Sequence, residues 1–135
     1  MSSLPAQVSP AGFDQLYGLE LVELDHRRAV GTVAVRDELK QPLGIVHGGV
    51  YAAIAESLAS IATGQAVAAD GKIAVGLANQ TSFLGSVSGG AIHAVARAQH
   101  RGRTTWVWEV EISDDRGGLC ALARVTLAIK SRVDG

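Results

Sequence analysis

Between Gly48 and Ala69 the sequence reads GGVYAAIAESLASIATGQAVAA, with no proline, alanine throughout and a single charged residue, Glu56. Alanine is the strongest helix former, so this run predicts a helix, ended by Asp70-Gly71. The run is apolar or small nearly all round, which fits a helix buried on most sides. Glu56, Ser57, Ser60, Thr63 and Gln65 interrupt it too often for a membrane span. A helix of about 20 residues is roughly 30 Å long. In a chain of 135 residues, the economical way to bury it is a sheet that wraps around it.

The remaining chain supplies that sheet. Residues 17–24 and 29–35 are short β-like runs flanking the polar tip Asp25-His26-Arg27-Arg28, a spacing suited to a hairpin. Pro42 and Gly44 punctuate the turn before the helix. After the helix, residues 73–84 read as a strand. Residues 91–99 put Ile92, Ala94, Ala96 and Ala98 on one side, and residues 104–112 put Trp106, Trp108, Val110 and Ile112 on one face. Residues 119–130 put Leu119, Ala121, Ala123, Val125, Leu127 and Ile129 together. Alternation with period 2 marks a sheet with one buried and one wetter face. The links 88–90 and 114–118 are short enough for antiparallel hairpins. The expected architecture is one α+β domain over 17–135, a curved antiparallel β-sheet around one long central helix, preceded by a flexible arm over 1–16 that is rich in Ser and Pro near its start. The helix faces left uncovered would need a second copy of the chain, so a homo-oligomer is expected.

Charge and composition exclude several function classes. Lys+Arg number 12 and Asp+Glu 13, for a net charge of -1, which leaves no basic excess to neutralise nucleic-acid phosphates. The single cysteine, Cys120, can form neither an internal disulfide nor a zinc knuckle. The four histidines lie far apart without paired ligand spacing, so no metal is expected. In Gly85-Ser86-Val87-Ser88-Gly89, valine stands where a nucleophile elbow carries its serine. Gly64, Gly71 and Gly76 are not in phosphate-loop or dinucleotide spacing. Trp106, Trp108 and Cys120 read as core. The N-terminus has no basic segment followed by an apolar one, and a cytoplasmic location is expected.

Three features can carry chemistry. Glu56 with Ser60 and Thr63 makes a polar stripe on the apolar rod. An unpaired acid there costs several kcal/mol, so it must be paired, neutral or facing a pocket. The pattern alone fits a buried acid serving an ion pair or an interface hydrogen bond as well as a catalytic group. His47-Gly48-Gly49 opens the helix, where free N–H groups and the helix dipole can bind an anion or stabilise an oxyanion. A helix start with a capping histidine explains the same residues. The turn His100-Arg101-Gly102-Arg103-Thr104-Thr105 is either a phosphate-holding loop or a solvated hairpin tip. Glu56 follows Gly48 by eight residues, about 12 Å along one helix. Groups acting on one bond must sit within roughly 3 Å of the atoms they serve. If both act on one carbonyl they come from different chains, as two antiparallel helices across a dimer axis would allow.

The stretch from Gln41 to Ser57, QPLGIVHGGVYAAIAES, resembles the hot-dog-fold acyl-CoA thioesterases. The similar branch is that of the phenylacetate-pathway type and the Arthrobacter-type 4-hydroxybenzoyl-CoA thioesterase. Segments 74–76, 81–83, 104–106 and 118–121 share the likeness, which runs from about residue 17 onward. The resemblance implies that Glu56 is the catalytic carboxylate, attacking the thioester carbonyl or activating a water. It implies that Gly48 N–H of the neighbouring chain polarises the carbonyl, that Gln41 contacts the thioester region, that His47 orders the loop and helix start, and that the Ser60 hydroxyl orients Glu56 or a water. Gly49, Thr81, Ser82 and Phe83 would shape the acyl side. Gly85 stands where the Arthrobacter-type enzyme has an arginine for the nucleotide, which moves coenzyme A recognition to Arg101, Arg103 and Thr104.

The expected function is hydrolysis of an aromatic or medium-chain acyl-CoA to free acid and coenzyme A. No cofactor is expected beyond the coenzyme A of the substrate. The family forms dimers, usually paired into homotetramers. Neither nucleic acid nor membrane is an expected partner. Two rivals share the fold, an acyl-CoA hydratase or dehydratase, which usually needs an Asp–His pair, and a non-catalytic acyl-CoA-binding protein.

Overall fold

The computed structural model of the protein describes residues 10–132. Six strands form one antiparallel sheet: β1 (Glu20–Leu24), β2 (Arg28–Ala34), β3 (Lys72–Phe83), β4 (Ala91–Arg101), β5 (Thr105–Ser113) and β6 (Leu119–Ser131). Their spatial order is β1-β2-β4-β5-β6-β3. A short helix, α1 (Phe13–Leu16), precedes the sheet, and the long helix, α2 (Gly48–Val67), falls between β2 and β3. Since β3 pairs with β6 at the far edge, α2 must cross the sheet, and it touches every strand from β2 to β6. This is the expected hot-dog arrangement.

The helix ends where its sequence predicts. A 3-10 turn over Ala68–Asp70 follows Val67, and Gly71 takes φ 69°, a left-handed conformation that glycine adopts without steric cost. One face of α2, carrying Tyr51, Ile54, Ala55, Leu58, Ala59, Ala62 and Thr63, is buried against the sheet. The steps of three and one along that list are the helical period. Small residues bring the layers close: a Cβ on Gly31 of β2 would lie 3.0 Å from Leu58 Cδ2. On the other side of the helix Gly49 and Glu56, seven residues apart, are exposed. By length and composition α2 could also cross a membrane, but here its apolar face forms the core.

The alternation holds along β4 and β5, where Ile92, Ala94 and Ala96, then Trp106, Trp108, Val110 and Ile112, are buried. It fails at one position. Leu119, expected on the inner face of β6, is 42% exposed, and its neighbour Cys120 is buried at 2%. The register slips between Ile112 and Ser113, so Ser113 pairs with Leu119 while Ile112 pairs with Ala121. A bulge of this kind places two residues against one and reverses parity beyond it. The arm also ends earlier than expected. Residues 13–16, assigned to it, form α1 against α2, and residues 1–9 lie outside the described residues.

Strand β3 closes the sheet with a free edge. Its stretch 73–83 carries no charged residue, and Val75, Leu77 and Phe83 are 40%, 61% and 58% exposed.

Candidate active site

The start of α2 is built by His47. Its backbone is extended, with φ -64° and ψ 134°, and its Nδ1 accepts the Gly49 N–H at 2.8 Å. This is side-chain capping of a first-turn donor. Gly49 has to be glycine for it, because a Cβ there would sit 2.9 Å from the same nitrogen. The Val50 N–H goes to the His47 carbonyl at 2.9 Å. The Gly48 N–H, at the first helical position, has no intrahelical acceptor and none among the described residues. A single uncommitted donor thus lies at the positive end of the helix dipole.

That donor faces a cleft of about 470 Å³ lined by Gln41, His47, Gly48, Tyr51, Phe83 and Gly85, among others. Gln41 shapes its wall through a tight turn: its Oε1 accepts the Leu43 N–H at 2.5 Å and its carbonyl accepts the Gly44 N–H at 2.9 Å. Phe83 lies against the helix start, so a Cβ on Gly48 would come within 2.9 Å of its ring.

Glu56 belongs to a different cleft of about 420 Å³, which it lines with Asp14, Ala52, Ser57, Ser60 and Asn79. Asn79 Nδ2 donates to the Ala52 carbonyl at 2.9 Å and reaches Glu56 Oε1 at 3.4 Å. Thr81 Oγ1 donates to Asn79 Oδ1 at 2.7 Å. No cation pairs with Glu56 among the described residues, so the ion-pair reading has no partner in a single chain. On the other rim, Ser57 donates to Asp14 Oδ1 at 2.5 Å and accepts from the Tyr17 hydroxyl at 2.9 Å, which fastens α1 to α2. Burial pushes the Tyr17 hydroxyl far above the ordinary tyrosine range, so it stays a donor.

The predicted residues therefore divide into groups. Gln41, His47, Gly48 and Phe83 meet at the helix start, Glu56 and Ser60 meet one cleft away, and Gly49 lines both. Thr81 faces the helix through Asn79. Ser82 points to the outer face of the sheet, beside Arg97 and Arg124, as strand parity requires. Arg101, Arg103 and Thr104 are exposed around the β4–β5 tip and line neither cleft. The third expected stripe residue, Thr63, is fully buried and bonds to Trp108 at 2.8 Å. Among the described residues, no three His, Cys, Asp or Glu side chains gather as a metal site.

Asn79 and Asp14 are among the cleft residues that escaped the sequence reading. Asn79 had a signal: asparagine is depleted in strands, and it shares parity with Thr81. Asp14 had none, since only the docking of α1 brings it to the site.

An acid on a helix inside a wrapping sheet and a bare donor at the helix start are groups that carbonyl chemistry can use. The sequence pattern of the thioesterase superfamily matches residues 43–121. The chain is 35% identical over 121 residues to the 1,4-dihydroxy-2-naphthoyl-CoA hydrolase of Listeria monocytogenes, covering 90% of this chain and 98% of that protein. It is 35% identical over 112 residues to the proofreading thioesterase EntH of Cronobacter turicensis, covering 83% and 81%. A crystal structure of a thioesterase from Haemophilus influenzae superposes with a TM-score of 0.83 at 30% identity, over 90% of this chain and 84% of that one. The chain belongs to the thioesterase superfamily. It is a thioester hydrolase of the hot-dog fold.

Proposed function

We propose that the protein hydrolyses an acyl-CoA thioester, with an aromatic acyl group favoured, in the manner of the phenylacetate and Arthrobacter-type branch. Each site takes Glu56 from one protomer and the Gly48 N–H from the other. The observation that carries this reading is the separation of the two halves. A free donor and an exposed carboxylate stand in different clefts of one chain, eight residues and about 12 Å apart along the same helix, too far to act on one carbonyl.

Two features support the pairing. The face of α2 bearing Glu56 is open. The uncharged β3 edge offers unpaired backbone groups and exposed apolar side chains, a surface that isolated proteins normally protect. A twofold axis that covers it repeats every contact and yields two equal sites. The tetramer of the resembled family would pair two such dimers.

In the reaction, the carbonyl oxygen gains negative charge as either Glu56 or a water held by Glu56 adds to the carbon. The Gly48 N–H stabilises that charge, and one such donor is worth about 3–4 kcal/mol. The C–S bond breaks and the coenzyme A thiolate takes a proton. If Glu56 has attacked, water then hydrolyses the mixed anhydride. Ser60 is within the same cleft to orient the acid or the water. No cofactor enters this scheme, and a cytoplasmic setting fits an acyl-CoA substrate.

Coenzyme A phosphates would rest on the β4–β5 tip. Thr105 pairs with Ala128, which pairs with Val75. A Cβ on the next residue, Gly76, would lie 3.5 Å from Glu56 Oε2. Two strand spacings put Thr105, at the end of the basic tip, about 10 Å from Val75, the residue before Gly76. The hydratase reading lacks its usual partner, since no histidine lines the Glu56 cleft.

A panel of acyl-CoAs followed by thiol release tests the proposal. Free thiol from at least one aromatic or medium-chain substrate supports it. A change in acyl unsaturation without thiol release, or binding without turnover, contradicts it.

A further inference from the structure

We propose that Asn79 is a positioning residue for Glu56, holding Oε1 so that Oε2 is the oxygen presented to the reacting centre. This rests on the reading of Glu56 as the catalytic acid. The bulge between Gly76 and Ala78 sets the parity of β3. Beyond it Asn79 pairs with Val125 and Thr81 with Ala123, both buried on the inner face, while Ser82 pairs with Leu122 on the outer. Asn79 and Thr81 therefore face α2 together.

The Asn79 amide has a fixed orientation. The Ala52 carbonyl can only accept, so it must meet the NH₂ end, which leaves Oδ1 to accept from Thr81 Oγ1 at 2.7 Å. The first amide proton goes to the Ala52 carbonyl at 2.9 Å. Ala52 lies four residues before Glu56, so this carbonyl also accepts the Glu56 backbone N–H within the helix. The second proton is directed to Glu56 Oε1 at 3.4 Å, a long contact of the kind that tightens when substrate is bound. One amide thus grips both the backbone turn and the side chain of the acid.

The other oxygen is left open. Oε2 faces Gly76, where a Cβ would stand 3.5 Å away and nothing now intervenes. The two oxygens are unequal: one is committed to a neutral donor and the other is exposed to whatever enters between helix and strand. A carboxylate restricted in this way loses less rotational freedom on reaching its near-attack position.

The alternative is that Asn79 only ties β3 to α2. Asn79→Asp preserves shape and the Thr81 contact but puts a repelling oxygen against both Ala52 and Glu56, so the comparison with a Glu56→Gln background is what separates the two. The expected result is a fall in kcat of roughly tenfold or more, the scale of one hydrogen bond to a charged group, with KM within about threefold of wild type. In a Glu56→Gln background the same substitution is expected to change the residual rate by less than about twofold, because coupled residues are not additive. Thr81→Val, which frees the amide to turn without removing it, gives a smaller loss of kcat and serves if Asn79→Asp does not fold. Wild-type kcat in both variants, a loss confined to KM, or equal losses in both backgrounds overturns the proposal alone. A wild-type protein that cleaves no thioester, or a Glu56→Gln variant with full activity, removes the reading beneath it as well.

Discussion

Phe83 lies over Gly48 so closely that a single added carbon at the glycine would come within 2.9 Å of the ring. The end of the free edge strand therefore covers the start of the central helix. Phe83 is itself 58% exposed, so the ring can swing away if pushed. Gly48→Pro uses this latitude. Proline suits the first helical position, and His47 already has the extended backbone that a residue before proline requires. The substitution removes the N–H and shifts the Phe83 ring, and Gly48→Ala, which shifts the ring but keeps the N–H, separates the two effects. The expected effect of Gly48→Pro is a loss of about 10²–10³ in kcat, with the folded state retained by circular dichroism. Activity near wild type would remove Gly48 from the chemistry.

The core has its own polar joint. Trp108 Nε1–H donates to Thr63 Oγ1 at 2.8 Å, and Thr63 donates onward to the Ala59 carbonyl at 2.7 Å. Both side chains are fully buried. Thr63→Val keeps the volume and strands the indole N–H, at a cost of about 1–3 kcal/mol. Denaturant unfolding should report that loss while kcat stays within about twofold, since Thr63 lies two turns along α2 from Glu56 and neither it nor Trp108 lines either cleft. An unchanged unfolding midpoint would contradict it.

Tyr51 gives a pH signature. It is 2% exposed, its hydroxyl has no hydrogen-bond partner among the described residues, and burial pushes its pKa up to about 12 from 10.0. Below pH 10 both folded and unfolded chains keep the proton, and this contribution is fully present. Between about pH 10 and 12 the unfolded chain releases it while the folded chain does not, so stability falls as pH rises. Tyr51→Phe should therefore lose less stability than wild type between pH 9 and 11. At neutral pH it should equal or exceed wild type, having shed a buried hydroxyl. Parallel pH profiles for the two proteins would refute this.

Leu77, 61% exposed on the uncharged edge of β3, reports on the proposed interface. A charge in the middle of a strand edge opposes pairing. Leu77→Lys is expected to yield a monomer by light scattering, to melt within a few degrees of wild type in its intrachain core, and to lose hydrolysis. A monomeric variant with full turnover would show that one chain suffices.

Much of the fold was legible because its cues are local. The alanine run and Gly71 mark α2, and alternating apolar residues mark β4 and β5. Leu119 escaped because a bulge at Cys120, opposite the step from Ile112 to Ser113, reverses parity, and nothing in the sequence there announces it. Of the clefts, the residues clustered in sequence around His47 were readable. Asn79 stood out only as an asparagine in a strand, and its meeting with Glu56 across 23 residues depends on the packing of β3 on α2. Asp14 depends on α1 docking through Ser57 and Tyr17, a contact between segments with no shared pattern.

Mixing two inactive proteins tests the shared site most directly. Glu56→Gln and Gly48→Pro each spoil both sites of their own homodimer, but a mixed dimer regains one site with wild-type Glu56 facing wild-type Gly48. After dissociation and reassociation at equal amounts, random pairing predicts about a quarter of wild-type thioesterase activity. If activity stays at the sum of the two inactive parents while mixed dimers demonstrably form, acid and donor do not meet across the interface.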